Sequence, residues 1–331
     1  MKYWLILFML IACGGKAAVP DERLAILARG VNVTYVFERS ANLSADLSRL
    51  KQSGFRHVRV FVDQDMLTNP AWLTKLDALV DQAVARNLGI ILCMFSRQHP
   101  WSDGTDVEPI WTMAWRQLAT HYKSVSPTYL YFEVANEPGI SDSNRWETIQ
   151  EHLLNTIRSI VPDQTVLLTG SPTQMVWSLP DTPSNDPNVI YTWHLYQPLI
   201  FTTQGAAWAK PPLTQFAGLV YPPDQTNIKS LTNSDTEREL ADYALNGSQK
   251  ISEEVNLSRA WSRTHNIPVM VTEFGVVRDA PLKSRLSWLR EARERIEAAH
   301  QGWTIWEYEG GFGIEPLTPG SAMSSVLGLD Q

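Results

Sequence analysis

Two glutamates stand where apolar, strand-like runs turn polar. Glu137 lies in YFEVANEPGI (131–140), after Asn136 and before Pro138 and Gly139. Glu273 lies in IPVMVTEFGV (267–276), after Thr272. A carboxylate beside apolar neighbours is costly unless it is paired or needed. Other reactive types fall in similar runs: Arg59 in HVRVFVD (57–63), His194 and Tyr196 in WHLY (193–196), Trp306 in GWTIWEYEGGFGI (302–314). Two carboxyl groups facing each other, with a cation, an amide, an imidazole, a phenol and a flat indole around them, suit glycosidic bond cleavage. One carboxyl donates its proton to the leaving oxygen and the other, ionised, attacks the anomeric carbon.

These residues are far apart in the chain, so the elements carrying them must converge. Strand-like segments are predicted at 29–37, 57–63, 89–96, 128–138, 164–171, 188–198, 267–276 and 302–314. Helical periodicity fills 43–55, 71–87, 108–123, 144–161, 248–266 and 281–300, with Pro109 suited to a first turn. Strands alternating with helices make parallel βα units, and nearly continuous apolar runs fit strands covered on both faces. Eight units predict an α/β fold, a closed (β/α)8 barrel forming a single domain over residues 19–331. An open doubly wound sheet lacks support, because no glycine-rich phosphate turn follows the first strand. In such a barrel, function gathers at the C-terminal strand ends. Arg59 falls on strand 2, Asn136 and Glu137 end strand 4, and Glu273 ends strand 7. His194 and Tyr196 share one face of strand 6 by period two, and Trp306 is on strand 8.

The segment 199–247, rich in Pro, Gly, Thr and Asn, fits neither pattern. It is expected to be an insertion at the barrel mouth forming one wall of the cleft, a tolerant loop whose Trp208, Phe216 and Tyr221 are candidate sugar platforms. The 13 tryptophans permit stacking on sugar rings as well as core packing. Trp303 reads as packing, Trp101 and Trp111 as cleft or helix core, and Trp177 and Trp193 remain open. A net charge of −7 without a basic run argues against nucleic acid as a partner.

The first residues, MKYWLILFMLIACGGKAAVP, read as a signal peptide over 1–18, too short to span a bilayer. Leu10-Ile11-Ala12-Cys13 resembles a lipobox, with Cys13 lipidated; the alternative is plain cleavage near Ala17 or Ala18. Either reading places the mature chain outside the cytoplasm, as a periplasmic, outer-membrane-anchored or extracellular protein. Membrane contact would come only through that anchor, and a monomer is expected. Cys93, the other of two cysteines, reads as a buried structural thiol. No cysteine–histidine spacing suggests zinc and no calcium loop occurs. The chemistry needs no metal or organic cofactor.

With the motifs in order, the chain resembles glycoside hydrolase family 5, from RGVN on strand 1 to WTIWEYEGG on strand 8. The resemblance implies that Glu137 is the general acid/base and Glu273 the nucleophile. It implies that Asn136 contacts the sugar 2-hydroxyl and that Arg59 holds the nucleophile ionised. His194 and Tyr196 stand beside the two carboxylates, and Trp306 forms an aromatic floor under the sugar. It also implies a retaining hydrolase acting on a β-linked polysaccharide or oligosaccharide. One position departs: family members usually carry a histidine at the end of strand 3, where this chain has MFSRQHP, with Arg97 nearer and His99 late. Arg59 also has a structural reading, an ion pair with Glu133 inside the barrel. The rival function is a catalytically inactive, carbohydrate-binding barrel lipoprotein. A Schiff-base aldolase would need a lysine inside the barrel, and no strand has one.

Overall fold

The structure is a computed structural model describing residues 18–33, 42–95, 106–233, 236–318 and 320–329 of 331. Cys13, Arg97, His99 and Trp101 lie outside the described residues.

Eight parallel strands close into one barrel in sequence order. They are β1 (Arg29–Asn32), β2 (His57–Val62), β3 (Gly89–Met94), β4 (Leu130–Glu133), β5 (Val166–Thr169), β6 (Val189–Leu195), β7 (Val269–Phe274) and β8 (Gly302–Ile305). Closure is made by β1 pairing with β8. Each strand is shorter than its apolar run. β4 ends at Glu133; beyond it Asn136 still donates its N–H to Met94 at the end of β3, and Glu137 then takes a left-handed φ of 39° before Pro138. β8 was expected to reach residue 314, but ends at Ile305. The chain beyond it folds back, with Ile314 N–H bonded to the carbonyls of Glu307 and Tyr308 and Gly310 at φ 111°.

The outer helices start on local signals. Asn69 caps Pro70–Ala85 by accepting from Ala71 N at 3.0 Å, with Pro70 at the first turn. Asp142 does the same for Ser143–Arg158, through Arg145 N at 3.2 Å. Lys250–His265 ends on Asn266 in left-handed backbone. Between β5 and β6 the described chain has only a 3₁₀ turn, Val176–Ser178.

The main apolar core lies between barrel and helices and includes Trp111, Trp115, Trp146, Trp288 and Trp303. A small second cluster, with Ile91, Tyr131, Leu167, Ile190 and Met270 from five strands, fills the barrel interior toward its N-terminal end. His57 plugs that end, and a Cβ on Gly30 would come within 2.0 Å of its ring, so only glycine fits. Above the apolar layer the interior turns polar. The barrel therefore presents a hydrogen-bonded floor to its mouth.

Segment 199–247 departs from the expected loop. It contains helices Leu199–Thr202, Gln225–Leu231 and Glu237–Asn246, and it buries Phe201, Phe216, Leu219, Tyr221, Ile228, Leu240 and Tyr243. Phe201 lies on Tyr221 and Tyr243, which makes the segment part of the core. Phe216 and Tyr221 are 2% and 3% exposed, so neither is a sugar platform. The segment is expected to resist shortening. No helix among the described residues is long and apolar enough to cross a membrane.

Candidate active site

Arg59 organises the barrel floor. Its Nε donates to Glu133 Oε2 at 2.5 Å and its Nη1 to Glu273 Oε1 and Asn32 Oδ1, both at 2.9 Å. Nη2 donates to Asn136 Oδ1 at 2.8 Å, and to Glu133 Oε1 and Cys93 Sγ at 3.2 Å. Both readings of Arg59 therefore hold: it is an internal ion-pair partner and the clamp on Glu273. Burial raises the Glu133 carboxyl, but the charge and hydrogen bonds of Arg59, with those of Gln174, outweigh it and leave Glu133 below its ordinary value. Cys93 is a buried thiol in this cluster, as expected.

Above this floor stand the two predicted carboxylates. Glu273 Oε2 accepts from Tyr196 Oη at 2.9 Å and lies 3.6 Å from His194 Nδ1. The same Nδ1 shares a hydrogen bond with Glu137 Oε1 at 2.9 Å. One oxygen of each glutamate and this ring nitrogen all lie within 4.8 Å of one another. A register shift between Trp193 and His194 sets His194 opposite Glu273, an example of a bulge re-aiming side chains beside a site. Gly275 is required at the end of β7, since a Cβ there would meet the Trp306 carbonyl at 2.2 Å. Three donor atoms this close could share a cation. However, Glu273's two oxygens already accept from Arg59 and Tyr196, so the positive charge a metal would bring is supplied by Arg59.

The two glutamates differ in exposure: the Glu273 side chain is 7% exposed and that of Glu137 43%. Arg59 was expected to hold Glu273 below the ordinary carboxylate range. Instead burial pushes the carboxyl up. The His194 and Arg59 charges and the Tyr196 hydrogen bond pull it down, Glu137 pushes it up further, and the net position is raised. The expectation missed the depth of burial, which only the closed barrel creates.

All seven predicted site residues, Glu137, Glu273, Arg59, Asn136, His194, Tyr196 and Trp306, meet at this mouth. Five of them, with Phe61, Phe95, Met175, Trp208, Lys210 and Phe312, border a cleft of about 470 Å³. Arg59 and His194 lie beneath it. Trp306 rests on Phe61 at 5.6 Å between ring centroids, and Phe61 stacks on Phe95 at 4.7 Å. Trp208 is 66% exposed at the rim and Trp177 is 60% exposed. Trp111, Trp193 and Trp303 are buried packing residues. Sequence reasoning passed over Asn32, Phe61, Gln174 and Thr192. Asn32 alone had a signal, a polar residue ending an apolar first strand.

The model of the cellulase family, glycosyl hydrolase family 5, matches residues 23–309. Endoglucanase 3 of Fibrobacter succinogenes is 25% identical over 338 residues, covering 89% of this chain; the chain spans about half, 51%, of that relative's length. Endoglucanase C of Acetivibrio thermocellus is 23% identical over 291 residues, covering 80% of this chain and 83% of the relative. Solved structures of Thermotoga maritima Cel5A with cellobiose and with mannotriose superpose at TM-scores of 0.77 and 0.76. Both are 25% identical, covering 94% and 93% of this chain and 99% of theirs. With the barrel, the paired glutamates and a match across most of its length, the chain belongs to glycosyl hydrolase family 5, the cellulase family.

Proposed function

We propose that this protein is a retaining glycosidase that cleaves internal β-linkages in a glucan-type polysaccharide or oligosaccharide by double displacement. The observation that carries this reading is the spacing of Glu137 and Glu273, one oxygen of each lying within 4.8 Å of the other beside His194. Retaining pairs stand about 5–5.5 Å apart, whereas inverting pairs leave roughly 6.5–9.5 Å for a water. Glu273, clamped by Arg59 and Tyr196, attacks the anomeric carbon while Glu137 protonates the leaving oxygen. Glu137 then takes a proton from water, which displaces Glu273 and releases the sugar with its original configuration. Trp306, on its bed of Phe61 and Phe95, offers a flat apolar face to a sugar ring. Trp208 at the rim offers a second.

The glucan preference is supported by the endoglucanase relatives and by the cellobiose complex of the structural neighbour. The mannotriose complex of the same neighbour makes mannans the first alternative substrates to assay. Two intact carboxylates, held by complementary donors, weigh against an inactive binding barrel.

The mechanism is tested with Glu137→Ala. An activated dinitrophenyl β-cellobioside should still form the glycosyl-enzyme and stall there. Added azide should release a β-glycosyl azide, since a small anion needs no general base. An α-glycosyl azide from this variant would overturn the assignment of Glu273 as nucleophile.

A further inference from the structure

Gln174 stands five residues beyond β5, fully buried and in left-handed backbone at φ 57°. A residue with a side chain holds that conformation where its surroundings over-determine it. Its side-chain carbonyl Oε1 accepts the backbone N–H of Glu137 at 2.9 Å. Its amide Nε2 donates to Glu133 Oε1 at 2.9 Å and Thr192 Oγ1 at 2.7 Å. Its backbone carbonyl accepts the N–H of His194 at 2.8 Å. A backbone N–H only donates and an ionised carboxylate only accepts, so the amide has one workable orientation and both of its ends are used. Glutamate here would lose the donor, and methionine would lose both functions at similar length. One buried side chain thereby joins the backbone of Glu137, the strand carrying His194, and the buried glutamate that shares Arg59 with Glu273.

Glu137 needs such support. Its own backbone is left-handed, at φ 39°, and its side chain is 43% exposed. Its carboxyl is therefore aimed by its backbone and by His194, not by surrounding packing. A general acid works only when its proton lies within hydrogen-bond reach of the leaving oxygen, and small misplacements are costly.

We propose that Gln174 is a positioning residue for the proton transfers of Glu137, acting through the Glu137 backbone amide and the His194 strand without touching substrate. This rests on the reading of Glu137 as the acid/base. The test is a series of aryl β-cellobiosides with leaving groups of graded acidity, given to wild type, Gln174→Met and Gln174→Glu. A dinitrophenolate leaves without help from an acid, whereas a phenolate needs it. In both variants kcat/KM should fall at least about tenfold more for the phenyl than for the dinitrophenyl cellobioside, steepening the dependence on leaving-group acidity. A purely structural role would lower the thermal midpoint and scale all substrates alike. Equal losses across the series, or none, overturn the inference while leaving the glycosidase reading intact, as does a failure of both variants to fold. A wild type inactive on the whole series would overturn that reading and this inference with it.

Discussion

Two of the buried arginines, Arg158 and Arg59, pair with carboxylates, and their networks are built differently. At one, Arg158 donates through Nε and Nη2 to the two oxygens of Asp186 at 2.7 and 3.2 Å. Its remaining donors go to the backbone carbonyls of Gln164 and Asn188. One cation meets one anion, and the pair is closed from water, at 8% and 5% side-chain exposure. At the other, Arg59 serves two carboxylates, Glu133 and Glu273, with a third, Glu137, nearby. Acid exceeds base there, one member is open to the cleft, and His194 Nε2 is buried without a protein partner among the described residues. A closed, balanced network holds a fold together. An unbalanced one costs stability and is retained where chemistry needs it.

That contrast can be broken by experiment. The largest effect is expected from Glu273→Ala. Activity should fall on the order of 10⁴-fold or more, for every leaving group alike. Stability at neutral pH should hold or rise. A carboxyl raised in the fold binds protons more tightly than in the unfolded chain, so it lowers stability as pH climbs through its folded value. Marked destabilisation in thermal melts would mean that the Arg59 network is structural after all.

Arg158→Ala should show the opposite profile. It removes the guanidinium that both oxygens of buried Asp186 accept from, and breaking a buried ion pair costs about 3–5 kcal/mol. Denaturant unfolding should register that loss, while kcat of the remaining folded enzyme stays unchanged. A changed kcat would show that the two networks are coupled.

Tyr196→Phe should give the smallest and most specific effect. The Tyr196 hydroxyl stabilises ionised Glu273, so its loss raises that carboxyl further. The acid limb of kcat/KM should therefore move to higher pH, with the basic limb in place. An unmoved acid limb would separate Tyr196 from the ionisation of Glu273.

Eight strands, the barrel and the placing of the seven candidate site residues at its mouth were legible in the sequence, because they depend on local pattern. Apolar runs alternate with helical periodicity, and a polar residue closing a strand stands out against them. The excess lengths assigned to β4 and β8 had a local cause as well: backbone turns at Glu137 and Gly310 end pairing inside segments whose residues still favour strands. The segment 199–247 misled for a different reason. Its Pro, Gly and Asn content looks like loop, and only tertiary contacts make it core: Phe201 packs on Tyr221 and Tyr243, and Tyr221 donates to Glu291 on the helix Leu282–Ala298 at 2.9 Å.

The sequence by itself determined which residues would stand at the strand ends, since side-chain type and period are properties of the chain. It also determined the order in which the strands come, hence the opposition of Glu137 and Glu273. Tertiary structure decided what no local pattern contains. It set the depth of burial that raises Glu273 and the sharing of one arginine by two carboxylates. It also brought Gln174, from an unremarkable loop, to the backbone of Glu137. These are distances between groups from different strands, and they exist only once the barrel has closed.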